Sequence, residues 1–409
     1  MSGGTAGGTQ QTVPALRRLL IVADDLTGAA DASAAMARRF RVQLELRAID
    51  RDAHHPVVLA VDTDSRYASP ETAQSRVGDA IRRGAPDDVV VYKKIDSLGR
   101  GNVAAEVRAT ADALAARQGP TIAVVAPAFP ATGRTTVNGA IHVSGVPLLK
   151  DGCPVRLAEI LAHEGFHVAE VPRPQGPQDV IAALERAQRD GQDAMVIDAE
   201  TDAELAAIAT GALRSSVPAF LVGSGGLACH LAEAIMAPSA DRSRGTLTRT
   251  AYAGPALFVV GSRSATAIRQ RQALVAAGVH PIPVDDPPAT ELAQALREHL
   301  ERNQDIVLFP DPALPVQPAR ARDIARGLAA PVAAVIDAVG VLIATGGETA
   351  RAVLEASGIQ RLHVVEELEP GLVVSRCEER GLTIITKAGA FGDQNMLVRC
   401  LPTHSTEEP

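Results

Sequence analysis

Three short apolar runs in this chain are each followed at once by acids, bases and hydroxyls. In an open α/β sheet the carboxyl ends of the strands are where ligands gather. The first run leads into Asp24-Asp25-Leu26-Thr27-Gly28. Two adjacent carboxylates there can bind a hydroxyl, hold Mg²⁺ through water or serve as general base, while Asp25 or Thr27 can equally cap the helix that follows. The second ends in Asp62-Thr63-Asp64-Ser65-Arg66, where Arg66 suits a bidentate grip on a carboxylate or an ion pair with Asp62 or Asp64. The third gives Lys93-Lys94-Ile95-Asp96-Ser97-Leu98-Gly99-Arg100-Gly101-Asn102, a set suited to a small polyanion. Gly99 and Gly101 permit close backbone approach. Ala126–Pro130 and Gly133–Gly139, the latter carrying Arg134, form a fourth candidate rim. Together these describe a pocket for a small, polar, anionic molecule.

The second half carries glycine turns rather than charge clusters. Gly261-Ser262-Arg263-Ser264 precedes a predicted helix from Ala265, with Ser264 as N-cap. The N–H groups and positive dipole end at such a helix start suit a phosphate. Gly346-Gly347-Glu348-Thr349 and Lys387-Ala388-Gly389-Ala390-Phe391-Gly392 repeat the pattern, and Gly223-Ser224-Gly225-Gly226 in the first half resembles it. Neither a P-loop nor a full dinucleotide fingerprint is present. Each turn also reads as a tight strand–helix connection; three in one half favour a nucleotide-phosphate site.

The elements that position these groups are legible from periodicity. Leu19–Ala23, Val57–Val61, Val89–Tyr92, Ile122–Ala126, Ala194–Ile197 and Ala219–Val222 read as buried strands, and Val180–Gln188 as an amphipathic helix. Strands apolar throughout, alternating with helices, predict a parallel sheet covered on both faces. The alternation stops over 237–254 and resumes with Ala256–Val260, Ala265–Ala277, Ile306–Phe309, Val341–Ala344, Ala350–Ala356 and Thr383–Thr386. The expectation is two α/β domains, each with a largely parallel sheet flanked by helices and the active site in the cleft between them. Their expected bounds are a tail over 1–13, an acid-binding domain over 14–240, a linker over 241–254, a nucleotide-binding domain over 255–400 and a tail over 401–409.

Composition narrows the function. Of 409 residues, 46% are hydrophobic and 22% charged, as in a globular chain, and the net charge of −8 argues against non-specific nucleic-acid or membrane binding. Seven Phe, three Tyr and no Trp leave no aromatic platform for bases or sugar rings. Cys153, Cys229, Cys377 and Cys400 are too scattered for a zinc site and read as thiols of a cytoplasmic protein. The first residues lack a signal-peptide pattern, and Leu328–Ala344 reads as a buried helix running into a strand, not a membrane span.

The motifs ADDLTGAAD, DTDSR, KKIDSLGRGN, APAFPATGRTT, GSGGLA, GSRS, GGETA and KAGAFG, in this order from about Leu19 to Val398, resemble those of the four-carbon acid sugar kinases, relatives of the threonate, erythronate and 3-oxo-tetronate kinases. The resemblance implies an N-terminal sugar-acid domain, a C-terminal nucleotide domain, and transfer of the ATP γ-phosphate to the terminal hydroxyl of a four-carbon acid, with Mg²⁺ arriving on ATP and no protein metal site assigned. It places the acid at Asp24, Arg66, Lys94, Ile95, Asp96 and Ser97, and the same polar clusters add Asp25 and Arg100 as candidates. It places ATP at Ser264, Gly346, Gly347, Glu348, Thr349 and Gly389, and the first glycine turn adds Ser262 as a candidate. Asp24 and Asp96 compete for the role of proton acceptor. The chain departs from the family pattern at Leu98, where a threonine is usual, and at Glu348, where an aspartate is usual. Closure of the two domains is expected to exclude water. A nicotinamide-dependent oxidoreductase of a small hydroxy acid and a non-catalytic sensor are the rival readings, and self-association stays open.

Overall fold

The computed structural model describes residues 18–47, 57–85, 89–235, 254–284, 289–313 and 320–402. Both expected tails lie almost wholly outside the described residues, as does the expected linker up to Gly254. The backbone of the described residues is organised around one fifteen-stranded sheet. Its first block, in spatial order, is Val168–Val171, Ala194–Ile197, Ile122–Ala126, Ala219–Gly223, Val89–Lys94, Arg18–Ala23, Val58–Asp62 and Val42–Leu46, all parallel. A second parallel block contains Leu382–Lys387, Val341–Thr345, Ala256–Val260, Ile306–Pro310 and His280–Val284. Each block has helices on both faces, because its strands are apolar on both sides: Leu19, Ile21 and Ala23 enter one core, Leu20 and Val22 the other.

The two blocks belong to one sheet through a hairpin that the buried-run criterion did not predict. Its strands are Arg361–Glu369 and Leu372–Cys377. Arg361–Glu369 pairs antiparallel with Val42–Leu46 of the first block, and Leu372–Cys377 pairs antiparallel with Leu382–Lys387 of the second. In VQLEL and RLHVVEELE apolar and polar residues are mixed, so neither stands out as a buried run, yet Leu44, Leu362 and Val364 are buried. Because of the hairpin, the second block runs opposite to the first. The hairpin pairing is irregular between Val364 and Glu369, and the carboxyl ends of the two blocks meet where Gly347 stands against Asp25.

An ion cluster ties the blocks together beside that junction. Arg351, on the helix Gly347–Ala356, meets Asp62 at the end of Val58–Asp62; both are buried. Arg322 reaches Asp64 and Glu348, and Arg47 holds Asp64 from the first block at 2.6 Å. Burial pushes the Asp62 carboxyl up to about 7, against the pull of Arg351.

Candidate active site

Strand order explains why separate motifs share one rim. In the first block Ala126, Gly223, Lys94, Ala23 and Asp62 are laterally adjacent strand ends, aligned by the registers Gly223↔Ala126, Gly223↔Lys94, Ala23↔Lys94 and Ala23↔Asp62. The loops APAFP, GSGG, KIDS, ADDLTG and DTDSR therefore line up side by side. Tyr92, fully buried, donates its hydroxyl to the Ser224 carbonyl and pins the glycine turn to its neighbour strand.

Arg66 lies between the acidic pair. Its Nε and Nη2 donate to Asp24 at 2.7 and 2.8 Å, and Nη1 donates to Asp25 at 2.7 Å. The partner is thus the Asp24-Asp25 pair and neither Asp62 nor Asp64. Gly101, with φ +90°, makes room: a β-carbon there would stand 3.2 Å from Arg66 Cγ and 3.3 Å from Asp24 Oδ2. Asp25 is also the N-cap of Leu26–Ala37, its Oδ1 accepting from Gly28 N at 2.9 Å and its Oδ2 from Thr27 Oγ1 at 2.8 Å. Burial raises the Asp24 carboxyl, but the charge and hydrogen bonds of Arg66, with Lys93 and Lys94 behind, hold it below its ordinary value.

Successive residues of a strand face opposite sides, so Lys93 and Lys94 part company. Lys94 lies beside the helix start, where a β-carbon on Gly28 would stand 3.0 Å from its Nζ. Lys93 turns away, is fully buried and pairs with Glu106 at 2.7 Å. Lys93, grouped in the sequence with the polyanion set, is compensated here by Glu106 while its charge still acts on Asp24. The sequence reading missed Glu106, a helix glutamate without local signal. Ile95 brings only its backbone: its carbonyl accepts from Lys94 Nζ at 3.0 Å, while its side chain is in the core. Asp96 accepts from Leu98 N at 2.9 Å and is gripped by Arg100 Nε at 3.0 Å and Nη2 at 2.6 Å. Burial opposes ionisation of Asp96, yet Arg100 and Arg66 hold it far below the carboxylate range. Ser97 Oγ accepts from Arg134 Nη1 at 2.7 Å.

The nucleotide-side turns converge by the same logic, since Val260, Thr345 and Lys387 are adjacent strand ends. Ser264 caps Ala265–Ala276 through Ala267 N at 3.1 Å, and its hydroxyl donates to the Gly389 carbonyl at 2.8 Å. A β-carbon on Gly389 would stand 2.6 Å from Ser262 Oγ, and one on Gly261 2.0 Å from Thr349 Oγ1. Gly346, at φ +96°, turns the chain into Gly347–Ala356 with a conformation that suits glycine. Glu348, expected on the nucleotide side, has its carboxylate paired with Arg322 at 3.3 Å.

The two sides meet. A β-carbon on Gly347 would stand 3.0 Å from Asp25 Oδ2 and 3.2 Å from Thr27 Oγ1. Arg134, bonded to Ser97, also lies over the Phe391 ring, 5.6 Å from its centroid. Among the described residues no group of three or more His, Cys, Asp or Glu is arranged to hold a metal, and no helix is long and apolar enough to cross a membrane. The four cysteines are unpaired with one another.

Lys387, read in the sequence only as the head of the third turn, is a further charged group of the nucleotide side. It is buried beneath the third turn, and its Nζ donates to the carbonyls of Ala388 at 2.8 Å and Gly389 at 3.3 Å. Burial lowers its pKa to about 8. A lysine depressed on folding costs stability while both states are charged, and the cost disappears as pH rises from 8 to the unfolded value. Lys387→Met is therefore expected to unfold at higher denaturant than the parent at pH 7, by up to about 3 kcal/mol. The gain should fade by about pH 10.5 and be accompanied by a higher KM for the nucleotide. Urea titrations of both proteins across that range check it.

Comparison with known proteins agrees with this division of labour. Residues 19–231 match a sugar-binding N-terminal domain and residues 257–397 a nucleotide-binding C-terminal domain. The chain is 35% identical to a D-threonate kinase of Cupriavidus necator, across 92% of this chain and 96% of that one. It is 29% identical to a D-erythronate kinase of Heliobacterium modesticaldum, with 94% and 97% covered. A 3-oxo-tetronate kinase of Methylobacterium radiotolerans is 28% identical, with 93% and 97% covered. A solved structure from Salmonella typhimurium LT2 shares the fold at a TM-score of 0.75 and 20% identity, covering 94% of this chain and 98% of that one. With its acid-side carboxylates and cations facing three glycine turns, the chain belongs to the four-carbon acid sugar kinase family and is an enzyme that phosphorylates a sugar acid.

Proposed function

We propose that the enzyme transfers the γ-phosphate of ATP to the terminal hydroxyl of D-threonate or a closely related four-carbon acid. The observation that carries the reading is the contact of Gly347, at the nucleotide-side helix start, with Asp25 and Thr27 on the acid side. A phosphate bound at that helix start would lie next to an acid bound at Arg66 and Lys94. Higher identity to D-threonate kinases, at 35% and 31%, than to the erythronate and 3-oxo-tetronate kinases favours threonate.

Phosphoryl transfer asks the protein mainly for positioning and charge neutralisation. Arg66 has five N–H donors, and those not engaged by Asp24 and Asp25 are available to the substrate carboxylate. Lys94 adds a point charge beside it, and Ser97 offers a hydroxyl to the acid. Asp24 and Asp96 are poorly suited as proton acceptors, because Arg66 and Arg100 already occupy them. On the nucleotide side, Ser262, Ser264, Gly346, Gly347, Thr349 and Gly389 form the phosphate cradle. Magnesium enters as part of the nucleotide substrate. Arg134 can neutralise charge on the transferring group, since it connects Ser97 to Phe391 across the cleft.

The test is an ADP-release assay with ATP·Mg²⁺ and D-threonate, D-erythronate and 3-oxo-tetronate. The highest kcat/KM is expected with D-threonate. ADP release with none of them would overturn the proposal.

A further inference from the structure

We infer that Asp31 is the catalytic base that accepts the proton of the attacking hydroxyl. The inference rests on the sugar-acid kinase reading above and gives a role to the residue that closes the ADDLTGAAD motif, which that reading left without one. Asp31 follows Thr27 by four positions on Leu26–Ala37, so it lies on the helix face that carries Thr27 and Gly28 toward the cleft. The other acid-side carboxylates are held: Asp24 and Asp25 by Arg66, Asp96 by Arg100. Among the described residues the Asp31 carboxylate has no hydrogen-bond or ion-pair partner.

Its carboxylate lies against the GSGG turn. A β-carbon on Gly225 would stand 2.4 Å from Asp31 Oδ2 and 2.7 Å from Phe129 Cε1, so the GSGG turn is bare where Asp31 and Phe129 approach it. The charges that face it come from several elements. Asp25 lies on its own helix start, Lys94 and Tyr92 on Val89–Lys94, and Arg134 on the strand Arg134–Val137. From the other faces come Cys229 on Gly225–Ala234 and Glu367 on the hairpin strand. Burial, with Asp25 adding to it, raises the Asp31 carboxyl above its ordinary value against the pull of Lys94 and Arg134. A general base works best when unoccupied and tuned toward the operating pH. Asp31 fits both conditions, whereas Asp24 and Asp96 fit neither.

The step balances without a further reactant. The terminal hydroxyl oxygen forms a bond to the γ-phosphorus as the bond from that phosphorus to the β–γ bridging oxygen breaks. ADP leaves, and the hydroxyl proton passes to an Asp31 oxygen and then to solvent.

The experiment compares the full-length parent, Asp31→Asn and Asp31→Glu in steady-state kinetics with D-threonate and ATP·Mg²⁺. Melting curves and calorimetric ATP binding serve as controls of folding. Asp31→Asn is expected to lose about 10²–10⁴-fold in kcat, with both KM values within about threefold and ATP binding retained. The acid limb of the parent's pH–kcat/KM profile should be absent from the residual activity. A kcat within fivefold of the parent, or a loss carried wholly by KM, overturns the assignment. Should Asp31→Asn fail to fold, Asp31→Glu decides: a shifted acid limb supports the role and an unmoved limb overturns it. A parent inactive on every acid would instead overturn the kinase–substrate reading, and the base assignment with it.

Discussion

Arg66→Ala is expected to lower kcat/KM for the sugar acid by about 10²–10⁴-fold, mostly through KM. The side chain has two jobs that alanine cannot do. In the proposed reading it presents donors to the substrate carboxylate, and it neutralises Asp24 and Asp25 within 2.8 Å. Removing one partner of a buried charge pair leaves the other uncompensated, at a cost of about 3–5 kcal/mol. That cost falls on folding; the loss of kcat/KM comes from the missing charged donors to the bound carboxylate, about 2–5 kcal/mol, or roughly two to four decades at about 1.4 kcal/mol each. Two adjacent unpaired carboxylates would also repel the incoming acid. Arg66→Lys should recover only part of the loss, because an ammonium cannot span both carboxylates as a planar fork does. Kinetics at saturating ATP and calorimetric titration of the acid check this. A KM within threefold of the parent for Arg66→Ala would remove Arg66 from the site.

The second large effect falls on stability. Arg351→Ala is expected to destabilise the protein by about 3–5 kcal/mol, because it strands the buried Asp62 carboxyl at the junction of the two blocks. The loss should depend on pH. Asp62 titrates near 7 in the folded protein and at an ordinary, lower value when unfolded, so its ionisation penalises the folded state. That penalty is absent below about pH 4, builds up to pH 7 and is complete above it. Without Arg351 the folded pKa rises further, so the deficit should be small at pH 4 and largest near pH 8. Asp62→Asn should cost much less than Arg351→Ala, since Arg351 keeps Glu355 at 2.9 Å and Asp64 at 3.7 Å. Denaturant titrations at pH 4, 6 and 8 measure all three proteins. An equal loss for both variants at every pH would show that the pair carries no special electrostatic weight.

Much of the site was readable one residue at a time. A buried strand that ends in polar residues announces a rim, and Ser264 showed its capping role by preceding a helix. What could not be read was partnership. Arg66 stands two residues from Asp64 and four from Asp62, yet it pairs with the acids forty positions earlier, because the strands ending at Ala23 and Asp62 are neighbours. Alternation along a strand implies that only one of Lys93 and Lys94 can enter the cleft. Which one depends on where Glu106 and Gly28 come to lie. Glu348 sits in a phosphate-type turn, but the helix it begins aims it at Arg322. Asp31 closes the ADDLTGAAD motif but had no role assigned there, and the packing of the GSGG turn and the hairpin around it singled it out.

The sequence by itself determined the elements and their chemistry. Local apolar runs and glycine turns depend on near neighbours, so the strands, the turns and the division between an acid side and a phosphate side are written in short stretches. The tertiary structure decided which charges cancel, which carboxylate stays open and how the two halves meet. Those outcomes depend on a strand pairing between Val42–Leu46 and Arg361–Glu369, more than three hundred residues apart in the chain. In those two strands apolar and polar residues are interleaved, so the local pattern does not mark either as the seam of the sheet. Only the tertiary structure brings Gly347 against Asp25.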